Sequence, residues 1–226
     1  MPYRIDLFAV FIFLGIIQAV FLSVFFFSKD NRKIKANLFH GFLLLSMAAC
    51  ILEIFLMYTG YIVDCLYLVD FSEPISLAIG PFFYLMIISL TQGSVKRRDY
   101  LHFALPVIYL VLVMPFFLAP EDVKYNAWVE SFKLDLPYRN YDYDRGDPRT
   151  FWLTDHHTEL TLASLTLYAI LGLIQVGKAF RRKGESFLRP VNPVLRKLRA
   201  GAFQVGSATV FILIIKLFNP NDTGDH

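Results

Sequence analysis

The stretch "LFAVFIFLGIIQAVFLSVFFFSKDNRKIK", residues 7–35, decides the fold class. Its apolar part, Leu7 to Phe27, contains no charged residue. At about 1.5 Å per residue, a helix of that length covers the roughly 30 Å hydrocarbon core of a bilayer. The run is too long for the apolar part of a secretory signal and has no A-x-A-like cleavage site. Lys29, Arg32, Lys33 and Lys35 follow it at once. It reads as a retained membrane helix.

The rest of the chain repeats this pattern. Of 226 residues, 56% are hydrophobic and 23 are Phe, while charged residues make up only 18% and are clustered. That composition excludes an ordinary soluble domain. Six predicted spans run over 6–27, 37–59, 74–93, 100–118, 158–180 and 200–218. The fold class is therefore all-α, a polytopic membrane helix bundle with six predicted transmembrane helices. The whole chain, 1–226, reads as a single membrane-embedded domain. An aromatic and acidic loop covers 119–157, and a basic loop covers 178–199.

Charge orients the bundle. Three connections, 28–36, 94–99 and 178–199, hold 15 of the 22 basic residues against Asp30, Asp99 and Glu185. The other connections hold Asp64, Asp70 and Glu73, then an acid-rich stretch from Glu121 to Asp155. The positive-inside rule puts the basic connections in the cytoplasm and the N-terminus outside. Six spans that begin outside also end outside, just before "NPNDTGDH". The basic stretch "KAFRRKGESFLRPVNPVLRKLRAG" (178–201) lies beside membrane helices, where anionic lipid headgroups are its natural partners. Nucleic acid is not an expected partner of this chain.

Within the spans, two ionisable residues stand out, because a charge in the bilayer is costly and marks a functional hypothesis. Glu53 lies about one and a half turns from the outer end of the second span, and Lys216 near the outer end of the sixth. They could pair or line an outer cavity, and Lys216 could instead snorkel to the surface. In the third span, "AIGPFFYLMIISLTQG" (78–93), Gly80 and Pro81 interrupt an apolar run, with Tyr84 three residues after Pro81. Pro81 has no N–H, and its ring crowds the Leu77 carbonyl. The position reads as a packing kink, or as a hinge bordering an outer cavity with Glu53.

"TDHHTEL" (154–160) opens the fifth span. Thr154 or Asp155 suits an N-cap and Glu159 suits the first turn. The same residues raise a second reading, in which His156 and His157 titrate, or bind a metal together with Asp155 and Glu159. His40 and His102 belong to the opposite ends of their helices. In the outer loop, "EDVKYNAWVESFKL" (121–134) has near-helical apolar spacing and could lie flat on the membrane. Asp142, Asp144 and Asp147 have the wrong spacing for a calcium loop, and the RGD triplet at 145–147 reads as chance. Cys50 and Cys65 read as unpaired thiols. No cofactor motif and no nucleophile–base set is present, so neither an enzyme nor a cofactor is expected.

"GPFFYLMIISL" (80–90), the basic turn after it and "DYLHFALPVIYLVLVMPFF" (99–117) together resemble the membrane part of bacterial membrane-bound AraC-type regulators. The first helix with its basic connection, the acid-rich loop after the fourth helix and "NPVLRKLRAG" (192–201) are similar too. The resemblance runs over essentially the whole chain through loose, apolar motifs. It implies an inner-membrane, multi-pass sensor that receives a small-molecule or envelope signal and passes it to a cytoplasmic helix-turn-helix domain. Such proteins have a seventh span and that DNA-binding domain, and neither pattern occurs in these 226 residues. The expectation is a truncated regulator: a signal-sensing module of a one-component transcriptional regulator without its output. A homodimer is compatible with that reading. The alternative is a small-molecule or ion permease, with Gly80, Pro81, Glu53 and Lys216 along its path.

Overall fold

The computed structural model describes residues 3–131, 134–140 and 152–218. Among them there is no strand. The helices are α1 (Leu7–Phe27), α2 (Lys35–Thr59), α3 (Glu73–Gln92), α4 (Ala104–Phe117), α5 (Glu121–Ser131), α6 (Trp152–Asp155), α7 (His157–Arg182) and α8 (Pro193–Phe218). A 3₁₀ segment, Arg97–Phe103, leads into α4. Counting that segment with α4, six of the helices are long and apolar enough to cross a membrane: α1, α2, α3, α4, α7 and α8. The chain is thus an all-α bundle of the multi-pass membrane type.

Local chemistry sets the helix ends. Asp6 caps α1 by accepting the Ala9 amide at 3.0 Å. Gly60 and Gly93 end α2 and α3 in the left-handed region, at φ 81° and 74°, which glycine adopts without steric cost. Asn192 accepts the amides of Val194 and Leu195, and Pro193 supplies a first residue that needs no N–H partner. This cap starts α8 seven residues before the predicted sixth span. Arg196, Lys197 and Arg199 therefore lie on the first two turns of a helix rather than in the loop expected at 178–199.

Contacts at the helix ends fix the directions. The Arg4 amide bonds to the Thr59 carbonyl at 3.0 Å, and Ser23 Oγ bonds to the Gly41 carbonyl at 3.0 Å, so α1 and α2 are antiparallel. The Ser72 amide donates to Glu53 near one end of α2 and α3, and Phe42 stacks on Phe82 toward the other. Tyr109 meets Glu73, and Phe103 meets Phe82, making α4 antiparallel to α3. Ser76 meets Thr161 and Thr91 meets Gln175, so α3 and α7 run parallel. All three basic connections emerge at one end of the bundle as a result, and the N-terminus lies at the other.

α3 is the hub. Half of its most apolar window is buried, against 17% for α1 and 11% for α8. α1 turns Phe8, Phe11, Leu14, Phe21 and Phe25 outward, and α8 does the same with Phe211, Ile214 and Ile215. Exposed aliphatic and aromatic bands of this kind suit lipid, where burial is not needed to satisfy an apolar side chain.

The N-terminal end carries a packed cap. α5 is buried around most of its circumference: Val123, Lys124, Tyr125, Ala127, Trp128 and Val129 are all covered. The five apart from Lys124 form one cluster with Ile62, Leu66, Val69 and Phe116. The surface-lying helix expected over 121–134 is instead an internal helix, because its apolar residues meet the 60–70 connection on one side and the end of α4 on another. Lys124 donates to the Phe117 carbonyl at 2.8 Å and thereby serves the C-terminal end of α4. Burial pushes its ammonium down from the ordinary lysine range. Cys50 and Cys65 are both free thiols.

Candidate functional site

The parallel pair α3 and α7 meets along one stripe from each helix. On α3 the stripe is Glu73, Ser76, Gly80, Tyr84, Ile87 and Thr91. On α7 it is His157, Thr161, Ser164, Tyr168, Gly172 and Gln175. Both advance by threes and fours, the spacing that keeps one helical face toward a partner. For a membrane interface the seam is unusually polar, since lipid-facing neighbours offer no alternative hydrogen bonds.

Its first section lies at the N-terminal end. His157 Nε2 is 3.0 Å from Ser76 Oγ, 3.2 Å from Thr161 Oγ1 and 3.1 Å from the Glu73 carbonyl oxygen. That carbonyl can only accept, and it also takes the Ser76 hydroxyl proton at 2.7 Å. The proton of a neutral His157 ring therefore belongs on Nε2. Nδ1 then faces the Glu73 carboxylate with a lone pair, at 4.0 Å from Oε1. The other carboxylate oxygen accepts from the fully buried Tyr109 hydroxyl at 2.7 Å. One carboxylate, one imidazole and three hydroxyls thus join α3, α4 and α7. Protonating Nδ1 would convert a lone-pair contact into an ion pair.

The middle section is tightly packed. A Cβ on Gly80 would clash with the Cδ2 edge of the Tyr168 ring, so only glycine lets that ring lie against the α3 backbone. The arrangement is reciprocal one turn along: a Cβ on Gly172 would meet Phe83 and Ile87 at 2.9 Å. One turn before Tyr168 on α7, Ser164 is buried, and its hydroxyl has no hydrogen-bond partner among the described residues. The Tyr168 hydroxyl lies 3.1 Å from His102 Nδ1 and 3.2 Å from the His102 carbonyl oxygen. Tyr84 packs edge-on to His102, with ring centres 4.9 Å apart. The last section lies near the basic end, where buried Gln175 donates to Thr91 Oγ1 at 3.0 Å.

The residues singled out in the sequence divide sharply. Tyr84 and His157 belong to the seam. Pro81 is fully buried beside it, and α3 continues unbroken through it. Glu53 does not join them. It is buried at the end of α2, where it accepts the Ser72 amide at 3.1 Å and so anchors the connection into α3. Tyr84 is twelve residues, about 18 Å along the helix, from Ser72, so Glu53 and Tyr84 stand at different levels of the bundle. Lys216 does not meet Glu53 either. Its ammonium is 3.3 Å from the Glu159 carboxylate and ties α8 to the first turn of α7.

Asp155, His156 and Glu159 are exposed while His157 points inward. Among the described residues, no group of three His, Cys, Asp or Glu side chains is placed to hold a metal ion. Thr154 and Asp155 belong to the short α6, and α7 starts at His157 without a side-chain cap from His156. Asp142, Asp144 and the triplet at 145–147 lie outside the described residues.

Sequence reading missed Glu73, Ser76, Tyr109 and Thr161 as members of one site. The signal was present in part: His157, Thr161, Ser164 and Tyr168 follow helical spacing on one face. No family model matches the chain, and neither a curated protein nor a solved structure matches it.

Proposed function

We propose that this chain is a signal-sensing membrane module, the receiving part of a one-component transcriptional regulator of the bacterial inner membrane. In this reading the N-terminal end with its α5 cap faces outward and the three basic connections face the cytoplasm. The observation that carries it is the α3–α7 seam. Two parallel helices join a titratable cluster at one end to a buried Gln175–Thr91 pair at the other. A change in how the helices meet at His157 is thereby felt across the membrane. The input that the site chemistry offers is a proton. Glu73 from α3 is the charged group placed against His157, and Tyr109 faces it from α4; Glu159, two residues on along α7, is exposed and paired with Lys216 of α8. A permease is less well supported, because Gly80, Tyr168, Phe83 and Gly172 fill the middle of the seam.

The test uses the full chain in nanodiscs, with Cys50 and Cys65 replaced and a fluorescent probe on Ser94→Cys at the basic end. Lowering pH from about 8 to about 5, the window in which imidazole titrates, should shift the probe's emission. His157→Gln should abolish the shift. A shift that persists in His157→Gln, or no shift in the parent protein, would overturn the reading.

A further inference from the structure

At the basic end of the bundle, between α2, α3 and α8, lies an open groove of about 620 Å³. That is within the roughly 300–1,000 Å³ of ordinary ligand sites. Leu43, Met86, Leu90 and Val205 are typical of its walls, and its only polar lining residues are His40, Lys197 and Gln204. His40 stands on the α2 wall, stacked on Phe26 with ring centres 4.3 Å apart.

Lys197 lies on the first turn of α8, exposed, and has no carboxylate within ion-pair reach among the described residues. The acidic residues of that end are already engaged. Asp30 pairs with Lys33 at 2.9 Å, Asp99 accepts the Lys96 amide at 2.7 Å, and Glu185 accepts the Asn192 amide at 3.0 Å. The mouth of the groove is therefore positive. Gln204 lies seven residues further along α8, about 10 Å deeper. Its side chain is exposed among apolar neighbours and has no hydrogen-bond partner among the described residues. An amide in that position is costly until an acceptor or donor reaches it.

We propose that this groove is a binding site for an anionic phospholipid. The phosphate sits on Lys197, a chain ester meets the Gln204 amide, and one acyl chain runs along the apolar wall. The charge of the mouth selects the headgroup, the depth of Gln204 matches a polar group below it, and the open side faces the bilayer. The site does not depend on what signal the seam carries.

The purified full chain in detergent, titrated with phosphatidylglycerol or phosphatidylcholine and read by native mass spectrometry, tests this. The parent protein should retain phosphatidylglycerol in preference. Lys197→Gln should weaken phosphatidylglycerol by about fivefold, the worth of one basic contact with an anionic headgroup, and weaken phosphatidylcholine, whose choline cation offsets its phosphate, by less. Lys96→Gln, on the same end but outside the groove, should change neither. A Cβ on Gly201 would meet nothing within 4 Å, so Gly201→Phe can grow into the groove and should displace the lipid at an unchanged melting temperature. Ala208→Leu, further along the same groove, replaces it if that variant does not fold. Equal losses in Lys197→Gln and Lys96→Gln, lipid retained when the groove is filled, or a second copy of the chain bound in place of lipid would each overturn the proposal.

Discussion

Tyr168 lies across α3 at Gly80, in the volume that a Cβ on that glycine would occupy. The contact sets how closely α3 and α7 approach, and it also aims the Tyr168 hydroxyl at His102. Gly80→Ala is therefore expected to destabilise the bundle by about 1–3 kcal/mol, the usual cost of overpacking, measured by thermal unfolding in detergent. In a Tyr168→Leu background the same substitution should cost much less, because the ring is gone. Gly177→Ala, where a Cβ meets nothing within 4 Å, should be neutral or slightly stabilising through helix propensity. Equal effects at Gly80 and Gly177 would remove the seam's packing role.

The Tyr109–Glu73 hydrogen bond, 2.7 Å long, is the link that brings α4 into the site. Hydrogen bonds between membrane helices are worth about 0.6–2 kcal/mol. A cycle of Tyr109→Phe, Glu73→Gln and the double variant should return a coupling energy in that range under reversible unfolding. Additive losses would mean that Glu73 is held by its other neighbours and that α4 is only packed against the site.

How much of this was legible follows from the physics of each feature. The apolar runs were readable because bilayer thickness imposes length and composition together, as at Leu7–Phe27. The common end of the basic connections was readable because five antiparallel steps between six spans leave no alternative. The site was only half readable. His157 and Tyr84 are conspicuous types in apolar surroundings, but Tyr109 is one aromatic among many, and Glu73 read as one more loop acid. What makes them a site is the pairing of α3 with α7, whose first residues, Glu73 and His157, are 84 positions apart, and sequence spacing does not disclose which helices touch. Glu53 and Lys216 misled for a related reason: both lie toward the same end of the bundle, but the helix faces they occupy were unknown.

Asp6 offers a local pH test apart from the seam. The Tyr58 hydroxyl at 2.6 Å, then the Ala9 amide and the Arg4 guanidinium, hold its carboxyl down at about 2, below its ordinary 3.8. A carboxylate with a depressed folded-state value stabilises the fold above the unfolded value. That contribution is lost as pH falls through the folded one, so the window is from about 4 down to about 2. Nuclear magnetic resonance titration of the Asp6 carboxyl should give a midpoint near the lower figure, and Tyr58→Phe should move it upward. A midpoint unmoved by Tyr58→Phe would assign the shift to the helix cap alone.

Trp128 is the centre of the cap on the N-terminal end. It is 2% exposed and packs edge-on to Tyr125, in the cluster with Ile62, Val69 and Phe116. Truncating a buried tryptophan costs about 3–5 kcal/mol. α5 meets the spanning helices through the packed cluster, and Lys124 serves the Phe117 carbonyl of α4. Trp128→Ala should therefore loosen the cap while helical content, read by circular dichroism, stays nearly unchanged. Limited proteolysis should then cut within 121–131, where the parent protein resists. If Trp128→Ala instead unfolds the whole bundle in one step, the cap and the spans form a single cooperative unit, and the α5 cluster is part of what holds α2, α3 and α4 together.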